Sequence, residues 1–290
     1  MQKTQPKISV ITVTYNCAAL VERTMQNVLR QTYPNLEYIV IDGGSTDGTA
    51  GIIARYADRL AYTVSEPDRG IYHAMNKGAH AATGDWLLFR NVGDYFFNDN
   101  AVADVFTWYK DKGEDVIVGG TRSFTHDAYY DKPATEPTGN VWKDANLSHP
   151  SAFIRRSAML ANPYPENLKI ASDYYFFQKL LLKGGTYTVY PGFVSLFECE
   201  EGVSNSSLLL AWQERLQILR CLGAPDEEIR IARAKVCRLQ ISDTLASWLG
   251  GFSLFTRLSR KRKFKGWTKQ AAEITLKVGS NNSHLRKDND

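Results

Sequence analysis

The residues ISVITVTY, at Ile8–Tyr15, decide the fold class of this chain. The run is β-branched almost throughout and ends at Asn16, which predicts a buried strand rather than a helix. A second run of this kind, LEYIVI at Leu36–Ile41, follows a helical pattern over Ala18–Gln31. Strand, helix and strand in this order predict parallel pairing within an α/β domain.

The alternation continues beyond the second strand. Further strands are predicted at Leu60–Val64, Trp86–Phe89 and Val116–Val118. The helices between them are predicted at Thr49–Tyr56, Gly70–Ala82 and Ala101–Trp108. This pattern predicts a Rossmann-like, mostly parallel sheet with helices on both faces.

After Gly120 the pattern loosens, and Thr121–Leu147 is expected to form strand fragments and loop. Later elements are a helix at Asp173–Lys183, strands at Tyr187–Tyr190 and Phe193–Phe197, and helices at Leu208–Leu222 and Asp226–Leu249. We therefore divide the chain into an α/β domain (1–205, with halves 1–98 and 99–205), a helical region (206–278) and a disordered tail (279–290).

Composition and charge exclude several classes of protein. The chain has 290 residues, 43% of them hydrophobic, and a net charge of only +4. Residues 257–290 contain ten Lys and Arg and three Asp and Glu, a net charge of +7. Because the whole chain has a net charge of +4, residues 1–256 have a net charge of −3. The basic charge belongs to the tail, and without a recognition fold it does not predict nucleic-acid binding. Neither a signal peptide nor a run of about 20 apolar residues is present, so we expect a cytoplasmic protein.

Polar residues follow the predicted strands repeatedly. Asn16 ends the first strand, Asp42 the second, and Asp94 follows the fourth. Ligands of open parallel sheets bind at the carboxyl ends of the strands, so these residues predict a site there. The loop Asp42–Ser45 (DGGS) is neither a P-loop nor a G-x-G-x-x-G motif, and taken alone it would be an ordinary tight turn.

Four motifs follow one another along the chain: Ile11–Asn16 (ITVTYN), Asp42–Thr49 (DGGSTDGT), Glu66–Gly78 (EPDRGIYHAMNKG) and Asn91–Asp94 (NVGD). Read together, they resemble a family 2 glycosyltransferase of GT-A fold. Ser148-His149, Ser172–Tyr174 and Gly202–Ser204 resemble the branch with bacterial colanic-acid-type and other surface-polysaccharide transferases. The likeness covers about Lys7 to Ser204, and the tail lies outside it.

The resemblance implies a nucleotide-sugar site. Thr12, Thr14 and Asn16 would line the nucleotide pocket, and Asp42 would accept a hydrogen bond from the base, with uracil favoured. The remaining expected contacts are Asp68 with the nucleotide or sugar, Arg69 and Lys77 near the diphosphate, and Asn76 and Asn91 at positions that match the family. For Lys77 a solvated helix face is an equal alternative.

The resemblance also implies a divalent cation, Mg²⁺ or Mn²⁺. The family's Asp-x-Asp motif aligns with Asn91-Val92-Gly93-Asp94, which leaves Asp94 as the one carboxylate. One carboxylate with diphosphate oxygens and waters can hold such an ion. The alternative for Asp94 is a helix N-cap or turn residue.

Two residues are expected in the acceptor half. Asp173 would be the catalytic base that takes the proton of the acceptor hydroxyl. Its alternative, a helix cap together with Ser172, is compatible with catalysis. The family places a histidine at His149 on the acceptor or phosphate side, and the alternative is a structural hydrogen bond.

The segment Ser247–Trp267 mixes Trp, Phe and Leu residues with a basic cluster. Apolar anchors beside Lys and Arg are typical of a segment that lies on an anionic membrane. The alternative is a packed helix followed by a solvated basic run.

The resemblance implies an inverting transferase, with Asp173 as base of a single displacement, that moves a sugar from a nucleotide diphosphate, a UDP-sugar favoured, to a saccharide acceptor. The acceptor would be lipid-linked, and the enzyme would sit on the inner face of the cytoplasmic membrane in surface-polysaccharide synthesis. A nucleotidyltransferase would carry a basic, Gly-rich loop after the first strand, where this chain has Asn16–Ala19. A catalytically inactive nucleotide-sugar-binding or membrane scaffold protein is the remaining alternative.

Overall fold

A computed structural model describes residues 5–125, 128–198 and 208–248. Its strands are β1 (Ile8–Thr14), β2 (Leu36–Asp42), β3 (Tyr62–Ser65), β4 (Trp86–Phe89), β5 (Asp94–Phe96), β6 (Val116–Phe124), β7 (Tyr129–Lys132), β8 (Ala152–Arg155) and β9 (Tyr187–Glu198). Its helices are α1 (Ala18–Leu29), α2 (Thr49–Ala54), α3 (Ile71–Ala81), α4 (Ala101–Trp108), α5 (Val141–Asp144), α6 (Arg156–Ala161), α7 (Ser172–Leu182), α8 (Leu208–Cys221) and α9 (Asp226–Trp248).

The described strands form one sheet in the order β3-β2-β1-β4-β8-β6-β9-β5, with β7 paired to β6. Strands β1 to β4 pair in parallel, as do β6 and β9. The predicted α/β class with a mostly parallel sheet is confirmed. Strand β8 is antiparallel to both of its neighbours, β4 and β6, so the sheet is mixed at its centre.

Strand β1 is buried along its whole length, because helices cover both faces of the sheet. Ile11 and Val13 belong to the hydrophobic cluster that includes residues of α3 and α7. Ile8 and Val10 belong to the cluster that includes residues of α1 and α4. This alternation explains why the strand reads as a continuous apolar run in the sequence.

Strand β6 runs through the two glycines at which the sequence predicted its end. A Cβ on Gly119 would lie 2.5 Å from Val194, and one on Gly120 would lie 2.7 Å from Phe193. The two glycines therefore let β9 pass close by, and the β6–β9 register shifts around them. As a result β9 is one long strand rather than the two that were predicted, and β6 extends into the expected loop.

Four short elements were not predicted as such: β5, β8, α5 and α6. Each has only three to six residues, too few to show a period in the sequence. Strand β7 is one of the strand fragments expected within Thr121–Leu147. Strand β5 forms through antiparallel pairing with β9, about a hundred residues later in the chain. Its identity as a strand depends on that distant partner and not on local sequence.

The two C-terminal helices pack on the α/β domain. Leu216, Ile218 and Leu219 of α8 and Ala232 and Val236 of α9 are buried in the same hydrophobic cluster as α3 and α7. The helical region from residue 208 therefore shares its core with the preceding domain. The remainder of the predicted helical region, including the basic segment, lies outside the described residues, as does the predicted tail. Among the described helices, none has both the length and the apolar character needed to cross a bilayer.

A buried carboxylate fixes the turn that leads into β4. Glu37 of β2 is 8% exposed, and it accepts hydrogen bonds from the Ser9 hydroxyl (2.5 Å) and from the backbone N–H of Thr83 (2.6 Å) and of Gly84 (3.1 Å). Lys7 Nζ lies 2.6 Å from its other oxygen. Burial alone would raise the pKa of Glu37, but the hydrogen bonds from Lys7, Ser9 and Thr83 lower it to about 2.

We predict that Glu37→Gln lowers the free energy of unfolding at pH 7 by about 1–3 kcal/mol, because the amide cannot accept all of these hydrogen bonds. The folded-state pKa lies below the ordinary value of 4.5, so the stabilisation is complete above that pH and is lost as the pH falls toward 2. Urea unfolding of both proteins from pH 7 down to pH 3 measures the difference, which should shrink at low pH. The exposed Asp58→Asn is the control, and a difference independent of pH would contradict the role of the carboxylate.

Candidate active site

The carboxyl ends of the first three strands meet at one edge of the sheet. Thr14, Asp42 and Ser65 lie side by side there in the parallel register. The carboxylate of Asp42 is fully buried and accepts hydrogen bonds from the backbone N–H of Ser45 (3.0 Å), from the Ser45 hydroxyl and from the Ser65 hydroxyl. Asp42 thus fixes the loop after β2 against β3. To contact a base, as predicted, this fully buried carboxylate would have to become accessible.

The loop after β1 is tied to the loop after β2. Asn16 has a positive φ of 49°, a conformation that asparagine tolerates better than most residues. Its amide oxygen accepts from the backbone N–H of Thr46 (2.9 Å), and its own N–H donates to the Ser45 hydroxyl (2.8 Å). Gly44 has φ +81°, and a Cβ there would lie 3.1 Å from the nitrogen of Pro67. These loops therefore lie against the segment that carries Asp68.

The position of Thr12 corrects one expectation. Thr12 is fully buried, and its hydroxyl donates to the backbone carbonyl of Arg90 (2.7 Å) and contacts the Tyr38 hydroxyl (2.9 Å). It therefore lies beneath the site and joins strands, instead of lining a pocket. Thr14, at the end of the same strand, is 7% exposed, and its hydroxyl has no hydrogen-bond partner in the described part of the chain.

Asp68 is the centre of a small charged network. Lys77 Nζ lies 2.5 Å from Asp68 Oδ1 and 2.8 Å from Glu66 Oε1. His73 Nδ1 lies 2.7 Å from the same oxygen of Asp68. Burial alone would lower the pKa of Lys77, but the hydrogen bonds that its amine donates to Asp68 and Glu66 raise it, so the amine stays protonated. Of the two alternatives for Lys77, the structure shows a paired cation at the site and not a free solvated one.

Arg69 is paired across the site with a carboxylate that lies 97 residues later. Its guanidinium contacts Glu166 Oε2 at 2.5 and 3.1 Å, although its side chain is 71% exposed. Asn76 lies beneath this pair and exchanges two hydrogen bonds with the backbone of Tyr164. Its amide donates to the Tyr164 carbonyl (2.8 Å) and accepts from the Tyr164 N–H (3.0 Å). Asn76 is therefore a residue that holds the Tyr164–Glu166 segment in place.

The motif predicted to bind metal forms a turn into β5. The Asp94 N–H donates to the Asn91 carbonyl (3.0 Å), and Asp94 pairs antiparallel with Phe197, so it is a strand residue and not a helix cap. Burial raises the pKa of Asp94 to about 7, against the opposing charge of Arg90. The side-chain oxygen of Asn91 is buried without a partner among the described residues. Asn91 and Asp94 thus offer two hard oxygen donors.

No group of three or more His, Cys, Asp or Glu side chains able to hold a metal occurs within residues 5–125, 128–198 and 208–248. Two oxygen donors fit Mg²⁺ or Mn²⁺ only where other oxygens complete the coordination shell, since these ions take six or more ligands. The phosphates of a nucleotide and water can supply them. The donor set at Asn91 and Asp94 therefore fits a metal that arrives with its ligand.

Arg90 is a fully buried cation directly before this motif, and sequence reasoning did not single it out. Its guanidinium donates to the Ser195 hydroxyl (2.7 Å) and to the Tyr95 carbonyl (3.2 Å), and it lies 4.1 Å from the centre of the Phe96 ring. Burial lowers the pKa of Arg90 to about 10, so it remains charged at neutral pH. The available signal was an arginine within the apolar run WLLFRN.

His149 lies inside an aromatic cluster. It is 8% exposed, stacks on Phe89 with ring centres 5.4 Å apart, and its Nε2 lies 2.8 Å from the Tyr164 hydroxyl. Burial lowers the pKa of His149, against the opposing charge of Asp173, so the ring is neutral at physiological pH. This geometry favours the structural alternative, in which His149 supports Tyr164, over direct contact with a substrate.

Asp173 lies in the first turn of α7 and borders a cleft of about 250 Å³. Its Oδ1 accepts from the backbone N–H of Tyr174 at 2.8 Å. Ser172, the other candidate cap, is buried and donates to the Pro165 carbonyl (2.6 Å). Asp173 is therefore a partly exposed carboxylate that opens into a cleft, which is the placement that a general base requires.

The structure brings the predicted residues of the first half to one edge of the sheet and leaves Thr12 below it. It adds partners that carry no motif of their own, namely Tyr164 and Glu166 from the second half and, at the cleft, Trp212 and Arg215 from α8. A sequence signal for these four is absent, because each is defined by a contact across the fold.

Comparison with known proteins agrees with the resemblance. The model of the family described as Glycosyl transferase family 2 matches residues 9–196. A protein of Mycobacterium bovis named PGL/p-HBAD biosynthesis glycosyltransferase is 27% identical over 250 residues, which cover 84% of this chain and 97% of that protein.

Two solved structures share the fold. The Staphylococcus aureus protein TarS (1–349), in complex with UDP-GlcNAc, superimposes with a TM-score of 0.59 at 21% identity, over 79% of this chain and 70% of that one. The mannosyltransferase PcManGT of Pyrobaculum calidifontis, in complex with GDP-Man and Mn²⁺, superimposes with a TM-score of 0.61 at 19% identity, over 95% of this chain and 85% of that one. The architecture is therefore that of GT-A glycosyltransferases.

We predict that Asn76→Ala lowers the free energy of unfolding by about 1–3 kcal/mol, because it leaves the buried N–H and carbonyl of Tyr164 without their partner. Urea unfolding measures the loss, and Gln213→Ala, at an exposed position of α8, is the control. Hydrogen exchange at the Tyr164 amide should become faster in the variant. A stability equal to that of the control would show that the segment is held by other contacts.

Proposed function

The chain belongs to glycosyl transferase family 2, and from this premise we propose that it transfers a sugar from a UDP-sugar to a saccharide acceptor with inversion. The observation that carries the proposal is a set of buried polar atoms without partners among the described residues: Thr14 Oγ1, Asp68 Oδ2 and Asn91 Oδ1. Buried polar atoms are otherwise almost always paired. The Asp68 and Asn91 oxygens can only accept, so they suit ribose hydroxyls, a base N–H or a cation.

The donor class is supported from two sides. The structures with the same fold hold UDP-GlcNAc in one case and GDP-Man in the other, so a nucleoside diphosphate sugar is the shared ligand. The carboxylates of Asp42 and Asp68 are acceptors at the edge where the base would lie, and they suit the N3–H of uracil. Thymine N3–H and guanine N1–H can donate in the same way, so uridine is favoured by the UDP-GlcNAc complex of the same fold and is to be compared with the other two bases. Arg69 and Lys77 are the cations that would face the diphosphate.

Asp173 is the proposed catalytic base. Its carboxylate takes the proton of the acceptor hydroxyl while the acceptor oxygen attacks the anomeric carbon and the bond from that carbon to the diphosphate oxygen breaks. A single displacement of this kind inverts the configuration at the anomeric carbon. His149 and Tyr164 support the wall of the site behind this group.

Asn91 and Asp94 would hold Mg²⁺ or Mn²⁺ together with the donor phosphates. When bound, the ion neutralises charge on the departing diphosphate. Arg90 places a permanent positive charge directly beneath these two residues. It therefore favours the ionised form of Asp94, which is the form that binds a cation.

We place the acceptor on a lipid at the inner face of the cytoplasmic membrane, in the synthesis of a surface polysaccharide or glycolipid. The name of the mycobacterial relative, which refers to PGL/p-HBAD biosynthesis, supports the glycolipid part of this proposal. The basic and apolar segment Ser247–Trp267 supports the membrane part through its sequence alone.

Calorimetric titration of UDP, GDP and dTDP, with Mn²⁺ and with a chelator, tests the donor site. We predict that UDP binds most tightly, that the chelator weakens binding, and that Asp94→Asn removes the metal dependence because a carboxylate ligand is lost. Asp58→Asn, at an exposed position, should behave like the unchanged protein. Binding of none of the three nucleotides would contradict the donor site.

We predict that Asp173→Asn leaves nucleotide binding unchanged and lowers transfer by about 10²–10⁴-fold, the range that general-base catalysis supplies. The amide keeps the hydrogen bond from Tyr174, so the fold should persist. Release of UDP from the donor in the presence of acceptor measures transfer, and NMR of the product measures the anomeric configuration. A retained configuration would contradict the single displacement, and equal loss of nucleotide binding in both Asp variants would contradict the separate roles. Nucleotide binding without any turnover would favour the scaffold alternative.

A further inference from the structure

The cleft beside Asp173 has a second wall that comes from α8. Its lining includes Asp173 and Tyr174 from α7, and Trp212 and Arg215 from α8. The volume of about 250 Å³ lies just below the usual range for small-molecule sites, about 300–1,000 Å³. A space of this size next to the proposed base suits the acceptor unit that is to be extended.

A buried carboxylate fixes α8 at this place. Glu214 is 7% exposed and accepts hydrogen bonds from three consecutive backbone N–H groups, those of Lys169 (2.7 Å), Ile170 (2.9 Å) and Ala171 (2.9 Å). These residues lead directly into α7 and Asp173. The position of α8 is therefore coupled to the position of the proposed base.

Arg215 follows Glu214 in α8, and its side chain lines the cleft. Its guanidinium lies 4.1 Å from the centre of the Tyr174 ring and 5.1 Å from that of Trp212, and it donates to the Asn146 amide oxygen at 3.3 Å. Within the described part of the chain it forms no ion pair with a carboxylate. Lys235 of α9 lies 5.8 Å from the centre of the Trp212 ring, and Arg215 is the cation that lines the cleft itself.

Arg69, Lys77, Arg122 and Arg155 each pair with a carboxylate, and Arg215 differs from these four cations. An arginine that contacts two aromatic rings loses little further conformational freedom when it binds, and its planar group can make two parallel hydrogen bonds with an anion. Its ligand would lie within the cleft that Asp173 borders.

We infer that this cleft binds an acceptor that carries an anionic substituent, a phosphate or a carboxylate, on or next to the sugar to be extended, and that Arg215 binds that substituent. The inference rests on the proposed function and adds the chemical class of the acceptor. Arg215 is a specificity residue in it, and Asp173 remains the base.

The test uses the full chain with UDP and Mn²⁺ and three monosaccharide probes: glucose, glucuronic acid and glucose 1-phosphate. Ligand-observed NMR measures their dissociation constants. We expect at least one of the two anionic probes to bind at least tenfold more tightly than glucose, and the better of the two identifies the anion as carboxylate or phosphate. Inorganic phosphate is a fourth probe, and it should bind more weakly than the better anionic sugar because it lacks the sugar ring.

Arg215→Gln should remove the preference for the anionic sugars and leave UDP binding unchanged. Arg220→Gln, at an exposed position of the same helix, is the matched control and should keep the preference. Equal binding of all three sugars, binding of none of them, tighter binding of inorganic phosphate alone, or equal effects of the two variants would overturn the inference. If the unchanged protein does not bind UDP, that result would instead count against the proposed function. Failure of this inference and failure of the proposed function are therefore distinguishable.

Discussion

The parallel register of β1, β2 and β3 is the constraint on which the site depends. Because the strands pair in register, Thr14, Asp42 and Ser65 end side by side at one edge. Asp42 can then accept hydrogen bonds from both Ser45 and Ser65, which closes the loop after β2 over the strand ends. A slip of one residue in this register would turn the Asp42 side chain to the opposite face of the sheet, and the loop would lose its anchor.

The elements of the fold that could be predicted are those that depend on residues close together in the sequence. Strand β1, its helical neighbours and the parallel pairing are encoded by local apolar patterns, and all appear in the structure where they were predicted. Strand β5 takes its form from pairing with β9, about a hundred residues later in the chain. The glycines at 119 and 120 look like the end of a strand, yet they are the reason that β6 can continue past the bulky side chains of β9.

The same distinction applies to the candidate site. Motifs in the first half locate Asp42, Asp68, Asn91 and Asp94, because each follows a strand whose position is locally encoded. The partners of these residues come from elsewhere: Glu166 pairs with Arg69, and Tyr164 pairs with Asn76. Thr12 shows most clearly where prediction from a motif fails. Thr14, two residues later, lies at the end of the strand, whereas the Thr12 hydroxyl donates to the Arg90 carbonyl inside the sheet.

The cations of the site also impose a condition on ligand binding. Lys77 and Arg69 already have carboxylate partners, Glu66 with Asp68 for the first and Glu166 for the second. A diphosphate that approaches them must compete with these carboxylates, so its electrostatic gain is the difference between two ion pairs and not the full value of one. Most of these carboxylates are partly exposed, and ion pairs at such positions contribute about 0–1 kcal/mol. Replacing a carboxylate by a phosphate as the partner of Lys77 or Arg69 therefore changes the free energy little. In the proposed donor site, affinity for the nucleotide would then come chiefly from the buried oxygens at the strand ends that have no partner among the described residues, where each new hydrogen bond removes a desolvation cost.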